Sequence, residues 1–304
     1  MTLSAAIDNC ADALDTPPMR EVTNALREQG LAQPQCADPI AEVGIRAEAV
    51  QRIAQLRDRI RSGAVQPSLI ERCLLLHTVV RNRSHILRLA MGDGVLRCLT
   101  DELFFLAAPP ETDALQLLAP SDNFVSMAKI VTLRRFPAGQ LQFERSGIPL
   151  SWLTRLAPRR LTKLLRFLVR RTRGRRPFFF HHIAWRRKNR LFLLEVEQNR
   201  SYYRIAQALR RHPEVKGLLT ESWLHSPDTF RVSPHLAWLN TPFLEHGGLV
   251  VMLGAAEASS GVFTGGGERQ RLYEEGKFRP TTAMAIWPRA AMLEWAESHP
   301  ELAD

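Results

Sequence analysis

The chain has 304 residues, of which 45% are apolar and 24% charged, and its formal net charge is +10. That length can bury one large core or two moderate ones, and the composition excludes a disordered chain. The charge is local: residues 155–190 hold 14 of the 41 Lys and Arg and no Asp or Glu, leaving 27 basic against 31 acidic residues elsewhere. A cationic block on a mildly acidic body points to an anionic partner.

Residues 1–40 are polar and interrupted by Pro17, Pro18, Pro34 and Pro39, which predicts an extended or partly ordered arm. The opening MTLSAAIDNCADALD has neither a basic start nor a continuous apolar run, which argues against a secretory signal and for a cytoplasmic protein. No run of about 18 apolar residues occurs, so membrane contact would be peripheral, at the inner membrane surface. Residues 41–120 read as a helical region. Val50, Ile53, Ala54 and Leu56 to Ile60 recur at helical spacing up to Gly63. Pro67-Ser68 opens a second helix through Ile70, Leu74, Val79 and Ile86, and a third runs from Val95 to Leu106 before Pro109-Pro110. Cys10, Cys36, Cys73 and Cys98 show no C-x-x-C pairing and read as structural thiols.

Residues 121–304 read as an α/β region that contains the basic segment. KIVTLRRF (Lys129 to Phe136) and GQLQFERSG (Gly139 to Gly147) alternate like the two strands of a hairpin. RLFLLEVE (Arg190 to Glu197) predicts a buried strand with Glu195 and Glu197 on one side. Ser201 then caps a helix that stops at His212-Pro213, and VKGLLTESW follows as a strand. GLVVMLGA (Gly248 to Ala255) and TTAMAIWP (Thr281 to Pro288) are further strand candidates. The fold class is α+β: a helical N-terminal region followed by a mixed α/β C-terminal half.

Within the basic segment, Leu161, Leu164, Leu165 and Leu168 form one helical stripe, while Arg159, Arg160, Lys163, Arg166, Arg170 and Arg171 occupy the remaining surface. Arg173, Arg175 and Arg176 extend the cationic run. The stripe either packs on the protein's own core or faces a partner. An anionic membrane surface suits the neighbouring Phe178-Phe179-Phe180 and Trp185. Nucleic acid suits the charge, but no RRM or zinc-finger fingerprint accompanies it, and a protein partner is the remaining alternative.

Chemistry-bearing residues concentrate between Glu221 and Asn240, where two Ser-Pro dipeptides constrain the backbone. His225, His235 and Asp228 are the acid/base candidates. Arg231, Trp223, Trp238 and Asn240 would line a ligand, with Arg231 gripping an anionic group. The serines lack the G-x-S-x-G context of a nucleophile. Gly265, Gly266 and Gly267 precede a helix beginning near Glu268 and could present backbone N–H groups to a phosphate. His181-His182, Glu195, Glu197, His212, Glu221, His225, His235 and His246 are possible metal ligands, but no H-E-x-x-H or facial-triad spacing joins them, and a metal is not expected.

The order of elements from about residue 190 to 289, a strand, a helix, a strand, then a helix-to-strand return, resembles the GNAT acyltransferases at the level of fold. That resemblance implies acyl transfer with acyl-CoA as donor. The family's loop [QR]-x-x-G-x-[GA] is absent between Glu197 and Tyr202, where QNRSY stands, so no family residue carries over. The sequence reading is an enzyme of small-molecule or lipid-precursor metabolism with a small-molecule or acyl substrate. The alternatives are a non-catalytic adaptor that binds anionic membrane or nucleic acid, and a metal-dependent enzyme using His and Glu ligands.

Overall fold

The computed structural model describes residues 2–28, 67–108, 121–183, 194–256, 262–263 and 267–303, so the helix expected over residues 50–60 lies outside the described residues. The chain divides into two compact units, residues 1–142 with 183–193, and residues 143–182 with 194–304.

The described part of the first unit is mainly helical: α1 (Leu3–Leu14), α2 (Pro17–Glu28), α3 (Pro67–Arg81), α4 (Arg83–Leu87), α5 (Asp93–Ala107) and α6 (Ser121–Val131). Residues 2–28 are therefore two helices, not an extended arm. Ala6, Ile7, Cys10 and Ala13 recur at helical spacing and are buried, and Thr2 Oγ1 accepts from the Ala5 N–H at 3.2 Å. Pro17 and Pro18 open α2, because a helix's first turn has no intrahelical use for their missing N–H groups. Helix α1 packs on α3 and α5, where the Cys10 thiol donates to Leu103 O at 3.5 Å. Burial pushes that thiol up to about 12 and raises Cys73 as well, as expected of core thiols. The strand expected over Lys129–Phe136 is also corrected. Lys129 to Val131 end α6, Leu133 turns the chain at φ 58°, and only β1 (Arg135–Pro137) is extended.

The other strands are β2 (Leu141–Ser146), β3 (Phe178–Ile183), β4 (Gly217–Ser222), β5 (Leu249–Ala255) and β6 (Thr281–Pro288), and the sheet order is β1-β2-β3-β4-β6-β5. β3 and β4 run parallel, with Phe179 opposite Leu218 and Phe180 opposite Leu219, whereas β6 is antiparallel to both β4 and β5. A parallel pair needs a crossover, and α9 (Glu195–Arg211) supplies it. Of the strand expected over Arg190 to Glu197, residues 190–193 lie outside the described residues, and its last three residues begin this helix. Glu195 and Glu197 lie in the first turn of α9, and Ser201, expected as the cap, is buried inside the helix with its hydroxyl on Glu197 O at 2.8 Å. The strand that feeds the crossover is FFFHHI, inside the basic segment.

Both faces of this sheet are covered within the second unit. On one face lie α7 (Leu150–Leu153) and α8 (Pro158–Phe167), the latter continuing as a wider turn over Leu168–Thr172. Leu164 and Leu168 are buried against Phe178, Leu219, Leu249, Val251, Met284 and Ile286, with Leu161 partly buried beside them. Leu165 is not in that stripe; it is 45% exposed. The opposite face carries α9 and α13 (Arg289–Glu297) with Tyr202, Trp287 and Trp295 between them. Gly217 is fixed by the β4–β6 ladder: at φ 147° a Cβ there would stand 2.1 Å from Trp287 O.

Replacing Leu164 with Ala should cost about 3 kcal/mol of stability through the cavity it leaves, while Leu165→Ala should cost less than about 1 kcal/mol. Urea denaturation of the two variants measures the contrast. Equal losses would show that Leu164 does not seal α8 onto the sheet.

Candidate functional site

In open α/β sheets, ligands meet the carboxyl ends of parallel strands where the strand order reverses. Here β3 and β4 run parallel, with β6 antiparallel to β4, and the carboxyl ends of the parallel pair lie at His181 to Ile183 and Thr220 to Ser222. Beyond the Phe180–Leu219 register, a side chain bridges the strands: Thr220 Oγ1 donates to His181 O at 3.4 Å.

The period-two alternation of FFFHHI sends adjacent histidines to opposite faces. His182 lies beside Phe180, with their ring centroids 4.8 Å apart, and its Nε2 is 3.4 Å from Glu144 Oε1. His181 points the other way into an aromatic group. Its ring centroid is 5.7 Å from Tyr202, 6.2 Å from His225 and 6.4 Å from Phe243, and Phe243, on α11 (Thr241–Glu245), lies 5.3 Å from His225. His181 is 2% exposed, and among the described residues neither of its ring nitrogens has a hydrogen-bond partner. Gln198 donates through Nε2 to the Tyr202 hydroxyl at 2.8 Å, while its buried Oε1 has no partner among the described residues. A buried polar atom left unmet costs about 1–3 kcal/mol, and three such atoms, on His181 and Gln198, lie around this one aromatic group.

His225 is the better-defined group. Asn240 Nδ2 donates to His225 O at 3.0 Å, which fixes the amide orientation. The Asn240 Oδ1 at 2.8 Å must then accept from Nδ1–H of His225, leaving Nε2 unprotonated. Burial lowers the imidazole from its ordinary 6.5 to about 4, against the opposing pull of the Asn240 bond. Burial also holds His181 well below the usual histidine range, reinforced by the neighbouring His225 and His182, and burial raises the Tyr202 phenol. Near neutral pH the group therefore consists of two uncharged imidazoles and a protonated phenol.

The segment Glu221 to Asn240 folds as short helical turns: Trp223–His225, α10 (Pro227–Val232) and Pro234–Asn240. It brings His225 to Asn240 but leaves His235 exposed on the last turn, and no described contact joins the two histidines. Arg231 is an exposed cation paired with Asp228. Asp228 closes a hydrogen-bond ring: its N–H meets Ser226 Oγ at 3.2 Å, Ser226 Oγ meets Thr281 Oγ1 at 2.6 Å, and Thr281 Oγ1 donates to Asp228 Oδ2 at 2.8 Å. With its proton committed to Thr281, Ser226 serves as the α10 cap. Trp223 is buried under the Arg269 guanidinium, 5.0 Å from the ring centroid, and Trp238 is half-buried. Gly265 and Gly266 lie outside the described residues. Gly267 turns the chain at φ 74° into α12 (Glu268–Glu274), whose seven residues and first-turn Glu268 make a poor phosphate cradle. Among the described residues, no group of three or more His, Cys, Asp and Glu has the geometry to hold a metal ion.

His181, Gln198, Tyr202 and Phe243 were not singled out as a group in the sequence, because β3 and the crossover helix assemble them from three separate stretches. The one available signal was the adjacent His181-His182 at the end of an aromatic run.

The buried imidazoles make stability pH-dependent. The unfolded chain protonates His225 below about 6.5 and the folded chain only near 4, so this contribution is intact above the ordinary histidine range and is lost as pH falls toward 4. Urea titrations should show a loss of about 2 kcal/mol from His225 between pH 7 and pH 5. His225→Gln should flatten that part of the curve; an unchanged slope would remove His225 as its source.

No family model matches the chain, and no curated protein matches it. Among solved structures, the chain is similar to the crystal structure of an acyltransferase in complex with decanoyl-CoA, at 14% identity over 95% of this chain and 99% of that one, with a TM-score of 0.38.

Proposed function

We propose that the protein is an enzyme that transfers an acyl group from an acyl-CoA thioester to a small acceptor bearing an amine or hydroxyl, at the carboxyl ends of β3 and β4. The observation that carries this reading is His225, held by Asn240 with Nε2 unprotonated, its ring 6.2 Å from the His181 imidazole, which has no hydrogen-bond partner among the described residues, beside the carboxyl ends of the parallel β3–β4 pair. The succession of strand, crossover helix, parallel strand and antiparallel return resembles the GNAT acyltransferases and supports acyl transfer as the reaction class.

Acyl transfer requires the acceptor's nitrogen or oxygen to attack the thioester carbonyl, its proton to be removed, and the thiolate to leave as the tetrahedral intermediate collapses. His225 Nε2 would take the acceptor's proton; an uncharged imidazole can do so at neutral pH, and Asn240 holds its tautomer. The unpartnered nitrogens of His181 and Oε1 of Gln198 would hold polar groups of the substrates. The first turn of α9 carries Glu195 and Glu197, the wrong sign for the donor's phosphates. The charge of the right sign lies just before α9 in the sequence, at Arg186, Arg187, Lys188 and Arg190.

A panel of acyl-CoA chain lengths tests the reading by thermal shift, then by release of the CoA thiol in the presence of amine and hydroxyl acceptors. A donor at about a hundred times its Kd should stabilise the protein by about 2.7 kcal/mol. His225→Gln should lower acceptor-dependent thiol release by about a hundredfold or more while leaving the shift in place. If no acyl-CoA produces a shift or acceptor-dependent release, acyl transfer from CoA is excluded.

A further inference from the structure

We infer that the outward face of α8 and the turn that follows it is a docking surface for an anionic phospholipid membrane. Two observations lead there. Arg159, Lys163, Arg166 and Arg170 are exposed and, among the described residues, none meets a carboxylate. Several arginines elsewhere find carboxylates, Arg83 with Asp8, Arg145 with Glu214, Arg200 with Glu197, Arg210 with Glu297, and Arg271 with Glu268 and Glu275, whereas Arg88, Arg97, Arg211 and Arg279 are single exposed cations without one among the described residues. What sets α8 and the turn after it apart is that four such uncompensated cations are gathered on one continuous helical stretch.

The second observation concerns the apolar residues. Leu161, Leu164 and Leu168 are used by the sheet, but Leu165 and Val169, one turn apart, face outward and are 45% and 72% exposed. Exposed aliphatic groups beside cations gain from acyl chains at the headgroup level and gain nothing from a phosphate backbone. That difference selects a lipid surface over nucleic acid, which would favour planar side chains for stacking. No helix among the described residues is long and apolar enough to cross a membrane. Each cation near an anionic bilayer contributes about a kilocalorie, enough in combination with two inserted side chains for reversible attachment.

The test uses the full chain and sedimentation with phosphatidylcholine vesicles, with and without about 30 mol % phosphatidylglycerol. Binding should require the anionic lipid and weaken between about 50 mM and about 500 mM NaCl. The combined change of Arg159, Lys163, Arg166 and Arg170 to Gln should weaken vesicle binding by about a hundredfold or more. Leu165→Gln with Val169→Gln keeps the charge and should still lower vesicle affinity by about tenfold, with no effect on retention by duplex DNA. All substitutions are on exposed positions, and far-ultraviolet circular dichroism with urea midpoints confirms that the variants fold. Absence of binding by the parent chain overturns the inference. So does an apolar double variant that binds vesicles as the parent does, which makes the face a general polyanion surface.

Discussion

The parallel pairing of β3 with β4 constrains nearly everything else in the second unit. Two parallel neighbours cannot be joined by a tight turn, so α9 must travel back along one face of the sheet. Once α9 and α13 cover that face, the other also needs a cover, because Phe178, Leu219, Met284 and Ile286 point into it. Helix α8 provides it. The same pairing places the last residues of β3 beside the turn that leaves β4, and this brings His181 to His225 although 43 residues separate them.

The structure explains which parts of this were readable in advance. TTAMAIWP and GLVVMLGA were legible as strands because continuous short apolar runs bounded by turn residues suit a sheet buried on both faces. RLFLLEVE has the same look, yet Glu195 to Glu197 begin a helix, since a short apolar run does not distinguish a strand from a buried helical turn. FFFHHI was hidden by its setting: it lacks β-branched residues until Ile183 and follows six cations from Arg166 to Arg176 so closely that it reads as part of them. At the N-terminus the prolines misled, because their effect depends on whether they fall in a helix's first turn or beyond it.

The candidate site was legible in membership but not in partnership. His225 and Asn240 both belong to the stretch dense in polar and aromatic groups, and the fold joins them through two hydrogen bonds. Asp228 and Arg231, equally prominent in sequence, are occupied with capping and pairing around Ser226 and Thr281. Sequence density therefore identified a rigid segment, and burial divided it: the residues drawn under the sheet kept unusual protonation, and those left outside formed ordinary surface pairs.

The burial of Leu164 and Leu168 has a further consequence for α8. Many cationic amphipathic segments are unfolded until they meet a partner and must then give up backbone freedom worth about 1–2 kcal/mol for each residue ordered. Here the sheet has already ordered the helix, and its arginines are displayed on a fixed scaffold before any anion arrives. The arginine side chains retain their rotamer freedom, but the spacing of their attachment points does not change. Recognition by this face is consequently governed by geometry set during folding, so a loss of core packing beneath α8 would disperse the cationic array without altering a single charge.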